Sequence, residues 1–269
     1  LARSVNQVTY LNKLNCRFHL GYLGGFKVTS NFKLFSDIEK FDINKHFSYV
    51  GFNICNSLNL KIDKTLMSMN YPSSVVNNVN KFKKNLQFDD SKPIIGLNTN
   101  VHWESRRWSE DNYISLVERL YDKFNFVLLG GPGPDEILNN YIEKNLLDKG
   151  IKIFNSTSKL KLIELPQFIS TLDFMITSDS GPMHIGILMR TPTLALFGPI
   201  DPNLRFPFDY KKNHIIDYLW YLDYAKGGVY DYHSEYVDKN MNGLKAISVE
   251  FVCEKTLNFF KNNKFTYIK

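Results

Sequence analysis

The stretch LDFMITSDSGPMHIGILMRTPTLALFG, residues 172–198, reads as strand, helix and strand with almost nothing between them. LDFMITS and PTLALFG are short apolar runs of strand length, and PMHIGILMR is an apolar helix. Ser180 suits the N-cap, Gly181 lets the backbone approach a ligand, and Pro182 suits the first helical turn, where a missing N–H is no loss. Two strands joined through a helix by so few residues run parallel, with a right-handed crossover.

The same grammar extends upstream. PIIGLN (93–98), NFVLLGG (125–131) and IKIF (151–154) read as strands. They alternate with helices over SEDNYISLVERLYDKF (109–124), PDEILNNYIEKNLLDKG (134–150) and KLIELPQFIST (161–171). Ser109 caps the first of these, with acids in its first turn, and Gly150 closes the second. Five strands in strict alternation with helices predict an α/β fold with an open, doubly wound parallel sheet. SVEFVCEKTLNFFKN (248–262) adds a terminal amphipathic helix.

Residues 1–90 are less regular. A strand is expected at CRFHLGY (16–22), with helices over INKHFSYVGFNICNSLNL (43–60) and over PSSVVNNVNKFKKNL (72–86), the latter with Pro72 near N1. FDDSKP (88–93) is a polar linker, which puts the domain boundary at about residue 90. The expectation is a partial N-terminal domain over 1–90 and a complete one over 91–269. The chain opens with Leu1 and enters a helix-like segment without a preceding strand, so further sequence is expected before it.

At 269 residues and 43% hydrophobic, with 14% aromatic, the chain is long and apolar enough for one large or two ordinary cores. The net charge of +6 fits phosphate-bearing partners or an anionic surface, but the lysines and asparagines are spread along the chain, which favours a general Lys- and Asn-rich bias. Its tightest basic run, Lys81 to Lys84, reads as a solvated helix face. No groove-reading motif or basic-aromatic stripe supports nucleic-acid binding. Cys16, Cys55 and Cys253 are far apart, so neither a zinc site nor a disulfide framework is expected. No apolar run approaches the ~18 residues of a membrane-spanning helix.

The chemistry gathers where strands end, because ligands of such sheets bind at the carboxyl edge. After LDFMITS come Asp179, Ser180 and Gly181, then a helix whose N–H groups at Gly181 and Met183 point out of its positive end. That end either receives a phosphate or is merely well capped. His184, early in the helix, is placed to donate to phosphate or sugar, or simply packs. The next strand ends in Phe-Gly-Pro, a rigid bend at the same edge. LLGGPGPDEI ends another with Asp135 and Glu136, acids that suit ribose hydroxyls or the helix dipole equally. NTNVHWESRRW offers Asn98, Thr99, His102, Arg106 and Arg107, with Trp103 and Trp108 as walls or anchors. An arginine turned into the cleft would neutralise a diphosphate leaving group; otherwise the arginines form a surface pair.

SDSGPMHIGILMRTPTLALFGPIDP (178–202), with STSKLKLIELPQFISTLDFMIT before it, resembles the signature region of glycosyltransferase family 9, the ADP-heptose:lipopolysaccharide heptosyltransferases and relatives. IIGLNTNVHWESRRWSEDNYISLVERL, FNFVLLGGPGPDEILNN and GLKAISVEFVCEKTLNFF resemble that family's other segments in the same order. The resemblance runs from about Pro93 to the end and is faint over residues 15–90.

It implies the GT-B architecture: two Rossmann-like domains with parallel sheets, an acceptor-side N-terminal domain, here incomplete, and a nucleotide-sugar-binding C-terminal one. It further implies an inverting, metal-independent transfer of heptose or a related sugar from a nucleotide-diphosphate donor. The acceptor would be a lipopolysaccharide-type or other surface glycan or glycolipid. By position, Ser180, Gly181 and Met183 would cradle the diphosphate, and Asp179 and His184 would contact sugar or phosphate. Arg106 falls where many members carry a lysine that offsets leaving-group charge. Asn98 and Thr99 would line the cleft, with Glu136 or Asp135 on the ribose. No cofactor or metal is implied, and the location implied is cytoplasmic, free or peripheral on the inner membrane's cytoplasmic face.

The family's presumed general base, an Asp after the first N-terminal strand, has no counterpart here: Asp37, Asp42, Asp63, Asp89 and Asp90 read as helix or linker residues. NTNVHW lacks the family's usual glycine, and Asn242 to Lys245 replaces its usual Cys-Met. Two other readings therefore stay open, a non-catalytic nucleotide-sugar-binding module and a GT-B-type nucleotide-sugar epimerase or phosphorylase.

Overall fold

A computed structural model describes residues 20–23, 37–40, 70–99, 101, 106–198, 201–205, 216–220, 244 and 247–262. The chain divides into two compact units, Leu1–Leu66 and Met67–Lys269. In the first, strands β1 (Leu20–Leu23) and β2 (Asp37–Lys40) pair in parallel, with Leu20 opposite Asp37. The expected strand at 16–22 is thus represented by β1, while Asp37, read as a helix or linker residue, lies in a strand. The helix expected over residues 43–60 falls outside the described residues.

The second unit opens with α1 (Ser73–Asn85), which Pro72 precedes as its N-cap residue. There follow β3 (Ile94–Asn98), α2 (Glu110–Leu120), β4 (Asn125–Leu129), α3 (Pro134–Asp148) and β5 (Phe154–Asn155). The chain continues through α4 (Leu165–Ile169), β6 (Phe174–Ser178), α5 (Gly181–Leu188), β7 (Thr193–Phe197), α6 (Pro202–Arg205), β8 (Ile216–Trp220) and α7 (Val249–Asn262).

All six strands from β3 to β8 run parallel, in the order β5-β4-β3-β6-β7-β8. The five expected strands are all present, and β8 is one that sequence reading did not find. The chain winds outward from β3 through β4 to β5, then returns to lay β6 on the other side of β3. Adjacent strands that depart in opposite directions make a topological switch point, where a crevice opens at the carboxyl ends.

Strand alternation builds two cores. Ile95, Leu97, Phe126, Leu128, Phe174, Ile176, Leu194 and Leu196 face one side, under α2, α3 and α7. Ile94, Val127, Leu129, Phe154 and Met175 face the other, with Val79 of α1 and Phe168 and Ile169 of α4. The residues of β3, β4, β6 and β7 are buried throughout, as expected for a sheet covered on both faces. Gly186 lets α5 lie close to the sheet: a Cβ there would run into Met175 Cε and stand 3.0 Å from Thr193 Oγ1. Gly150, at φ +75°, supplies the left-handed residue that ends α3.

Helix α1 belongs to the second unit, Met67–Lys269. Val75 and Val79 are buried, Phe82 packs edge-on against Phe168 at 5.4 Å, and Asn78 Nδ2 donates to Glu164 Oε1 at 3.0 Å. The helix expected on the N-terminal side of residue 90 therefore lies in the second unit, because its apolar stripe seats on α4. Its basic run is not wholly solvated either. Lys83 Nζ donates to the Thr171 carbonyl at 2.9 Å, and burial lowers the Lys83 pKa against the pull of Asp173 and Asp90. Among the described residues no helix is long and apolar enough to cross a membrane.

Candidate functional site

The switch point puts the end of β3 beside the end of β6, with Asn98 opposite Thr177 in register. Asn98, 4% exposed, sends its amide nitrogen to Thr177 Oγ1 at 3.1 Å and to Ser180 Oγ at 3.0 Å. Its backbone carbonyl accepts from the Tyr113 hydroxyl at 3.1 Å, which ties the strand end to α2. Burial raises the Tyr113 pKa, with the Ser178 hydroxyl opposing, so the phenol is a neutral donor at ordinary pH.

Ser180 occupies the N-cap of α5 in extended backbone, as expected, but its side chain does not cap the helix. The hydroxyl is held by Asn98 and lies 3.2 Å from Thr177 Oγ1. The first turn of α5 therefore keeps Gly181 and Met183 N–H groups that the Ser180 side chain does not satisfy, at the positive end of the helix dipole. Gly181 is exposed, and among the described residues nothing lies within 4 Å of a Cβ built on it, so the space before the helix end is clear of them. Met183 is fully buried and offers only its backbone.

Arg106, on the loop after β3, points to this spot. Its Nη1 stands 3.4 Å from Asp179 Oδ2, the Arg106 side chain being 26% exposed and that of Asp179 7%. Oδ2 is buried and accepts no hydrogen bond from the described residues. His184 is solvent-accessible, yet desolvation still lowers its pKa; the Asp179 carboxylate opposes that shift and Arg205 of α6 adds to it. Asn98, Arg106, Asp179, Ser180 and His184 thus form one cluster around the start of α5.

Thr99 turns away from it. Fully buried, its hydroxyl donates to Asn139 Oδ1, while Asn139 Nδ2 donates to the Leu129 carbonyl at 3.2 Å and to Thr157 Oγ1 at 2.7 Å. Asn139 thereby braces the ends of β3, β4 and β5. Asp135 and Glu136 stand one turn earlier in α3. Asp135 Oδ2 accepts from the Gly131 N–H at 2.7 Å, and Glu136 Oε2 accepts from the Gly133 N–H at 3.2 Å. The Ser158 and Gly133 bonds hold the Glu136 carboxyl below its ordinary pKa. Both acids secure their own loop, and both remain partly exposed at the edge.

Trp108 is an anchor. It is fully buried, packs edge-on against Tyr113 at 4.9 Å and donates from Nε1 to the Ile247 carbonyl at 2.8 Å. His102 and Trp103 lie outside the described residues, as do Cys16 and Cys55; Cys253 is buried in the core. Sequence reading missed Tyr113, Thr177, Asn139 and Arg205. Asn139 left a signal: in the stripe 135, 139, 142, 146 it is a polar residue among inward positions. Arg205 left none. No group of three or more His, Cys, Asp or Glu is placed to hold a metal ion among the described residues.

Comparison with known proteins places this architecture. Lipooligosaccharide heptosyltransferase 2 of Campylobacter jejuni subsp. jejuni serotype O:6 is 30% identical over 209 residues, 72% of this chain. The chain spans 64% of that relative's length. The crystal structure of the glycosyl transferase family 9 protein from Veillonella parvula matches with a TM-score of 0.75 at 19% identity, over 97% of this chain and 72% of that one. The structure of E. coli ADP-heptose lps heptosyltransferase II matches at 0.67 and 18% identity, over 98% and 76%. These two likenesses establish a shared fold, that of GT-B enzymes. Residues 12–223, most of the chain, match the model of glycosyltransferase family 9 (heptosyltransferase), and to that family this chain belongs.

Proposed function

We propose that the crevice between β3 and β6 is the donor site of an inverting heptosyltransferase. In this reading the protein moves heptose from ADP-heptose to a lipooligosaccharide or lipopolysaccharide acceptor. The observation that carries it is the start of α5: a helix end whose N-cap hydroxyl is held elsewhere, space at Gly181 clear of the described residues, and Arg106 on the adjoining loop. An uncapped helix end with a guanidinium beside it is chemistry suited to a diphosphate. The sugar and the acceptor class are taken from the similar proteins, a lipooligosaccharide heptosyltransferase 2 and an ADP-heptose lps heptosyltransferase II.

Each residue then has a role. The N–H groups of Gly181 and Met183, with Ser180 at the turn, receive the diphosphate. Arg106 offsets the charge that grows on the leaving group as the anomeric bond breaks. Asp179 and His184 face the sugar side of the phosphates, and Asn98 fixes the turn. Glu136, with Asp135 beside it, accepts ribose hydroxyls. Thr99 contributes backbone and position, since its hydroxyl is committed to Asn139. The two-domain arrangement, with an acceptor side formed by residues before the second unit, and a site of work on the cytoplasmic face of the inner membrane belong to the same proposal.

Calorimetry with a panel of nucleotide sugars tests the donor, and release of ADP in the presence of a lipooligosaccharide acceptor tests the transfer. ADP-heptose is expected to bind more tightly than UDP- or GDP-linked sugars. Equal or absent binding across the panel would remove the reading.

A further inference from the structure

We infer that Asp179 is a charge filter in this pocket, set against the free nucleoside diphosphate and in favour of the sugar-bearing donor; the inference rests on the donor-site reading above. Asp179 is nine-tenths buried, and its Oδ2 accepts no hydrogen bond from the described residues. It stands 3.4 Å from Arg106 Nη1, wider than the ~2.7–2.9 Å of a charge-assisted hydrogen bond. It immediately precedes a helix end that Ser180 leaves uncapped. A helix end and a guanidinium suffice to attract a diphosphate, so a fixed carboxylate beside them opposes the ligand they attract.

That opposition makes sense as discrimination. A nucleotide sugar is a diphosphate diester and carries about two negative charges. The product carries about three once its terminal phosphate has lost its second proton, near pH 6 for a phosphate monoester. Helix end and arginine draw both, while the carboxylate repels each in proportion to its charge. Asp179 therefore subtracts more from the product than from the donor and keeps the product from occupying the site after transfer.

The test uses the full chain at pH 8, with ADP, ADP-heptose and the P2-methyl ester of ADP, which has two charges and no sugar. In the wild type the methyl ester is expected to bind at least as tightly as ADP. In Asp179→Asn the order reverses, with ADP the tighter by about fivefold or more, the direction set by removing one nearby charge. Asp179→Glu keeps the charge and is expected to keep the wild-type order. ADP already tighter than its ester by that factor in the wild type, or an order unchanged in Asp179→Asn with its melting transition intact, overturns the filter and leaves the donor site standing. Wild-type protein that binds none of the three nucleotides overturns both.

Discussion

The Asn98 side chain reaches from the end of β3 to the Ser180 hydroxyl at 3.0 Å, across the point where the sheet reverses its winding. A serine at an N-cap ordinarily satisfies an N–H of its own helix. Here the neighbouring strand holds the hydroxyl, and the Ser180 side chain caps no N–H of α5.

Asn98→Ala should free Ser180 to turn in and cap α5. Two outcomes are expected together: a stability loss of about 1–3 kcal/mol from polar groups left without partners, and weaker ADP binding. Denaturant unfolding reads the first and calorimetry the second. Lower stability with unchanged ADP affinity would show that the serine does not compete for those N–H groups.

Gly181→Val should leave the fold intact, because a Cβ there meets none of the described residues within 4 Å and the backbone is not left-handed. The isopropyl group would instead fill the space before the helix end. Loss of about 1–3 kcal/mol of ADP binding is expected, the scale of unmade charge-assisted hydrogen bonds. Calorimetry giving the wild-type affinity would move the diphosphate to another place.

Arg106→Ala should lower kcat by about 10²-fold or more, since one preorganised charge stabiliser is lost where charge grows. Arg106→Lys should recover part of it, because a point charge serves a diphosphate without the planar fork. Steady-state kinetics with saturating donor decide this. A normal kcat with raised KM would mean that the arginine only holds the donor.

Desolvation sets the His184 pKa below its ordinary ~6.5, with Asp179 opposing and Arg205 reinforcing. A depressed folded-state value favours the neutral ring in the folded protein. Its contribution to stability is thus complete above about pH 6.5 and is lost as pH falls through the folded value. Solvent reaches the side chain, which moderates the effect. NMR titration of the ring should give a midpoint below that of a free histidine, and His184→Gln should flatten the acid limb of the stability profile. A midpoint at or above the ordinary value would contradict the crowding around the ring.

Local information was enough for the elements. β3, β4, β6 and β7 declare themselves as apolar runs, and α2 by the Ser109 cap, whose hydroxyl accepts from the Asn112 N–H. The alternation of strands and helices then implies parallel pairing, because short crossovers permit little else. The edge strand β8 and the strand β2 escaped notice. DIEK and IDYLW carry charges and lack the long apolar run by which a strand covered on both faces is recognised.

The start of α5 was also legible, since Ser-Gly-Pro after a strand marks the N-cap and first turn of a helix. What each side chain touches was not. The place of β6 beside β3 brings Asn98 to Ser180 and Arg106 to Asp179, pairs more than seventy residues apart in sequence. Propensity and capping act over a few residues, so they specify where a helix begins. Strand order depends on how the whole chain packs its two apolar faces, and that packing alone decided which loops meet.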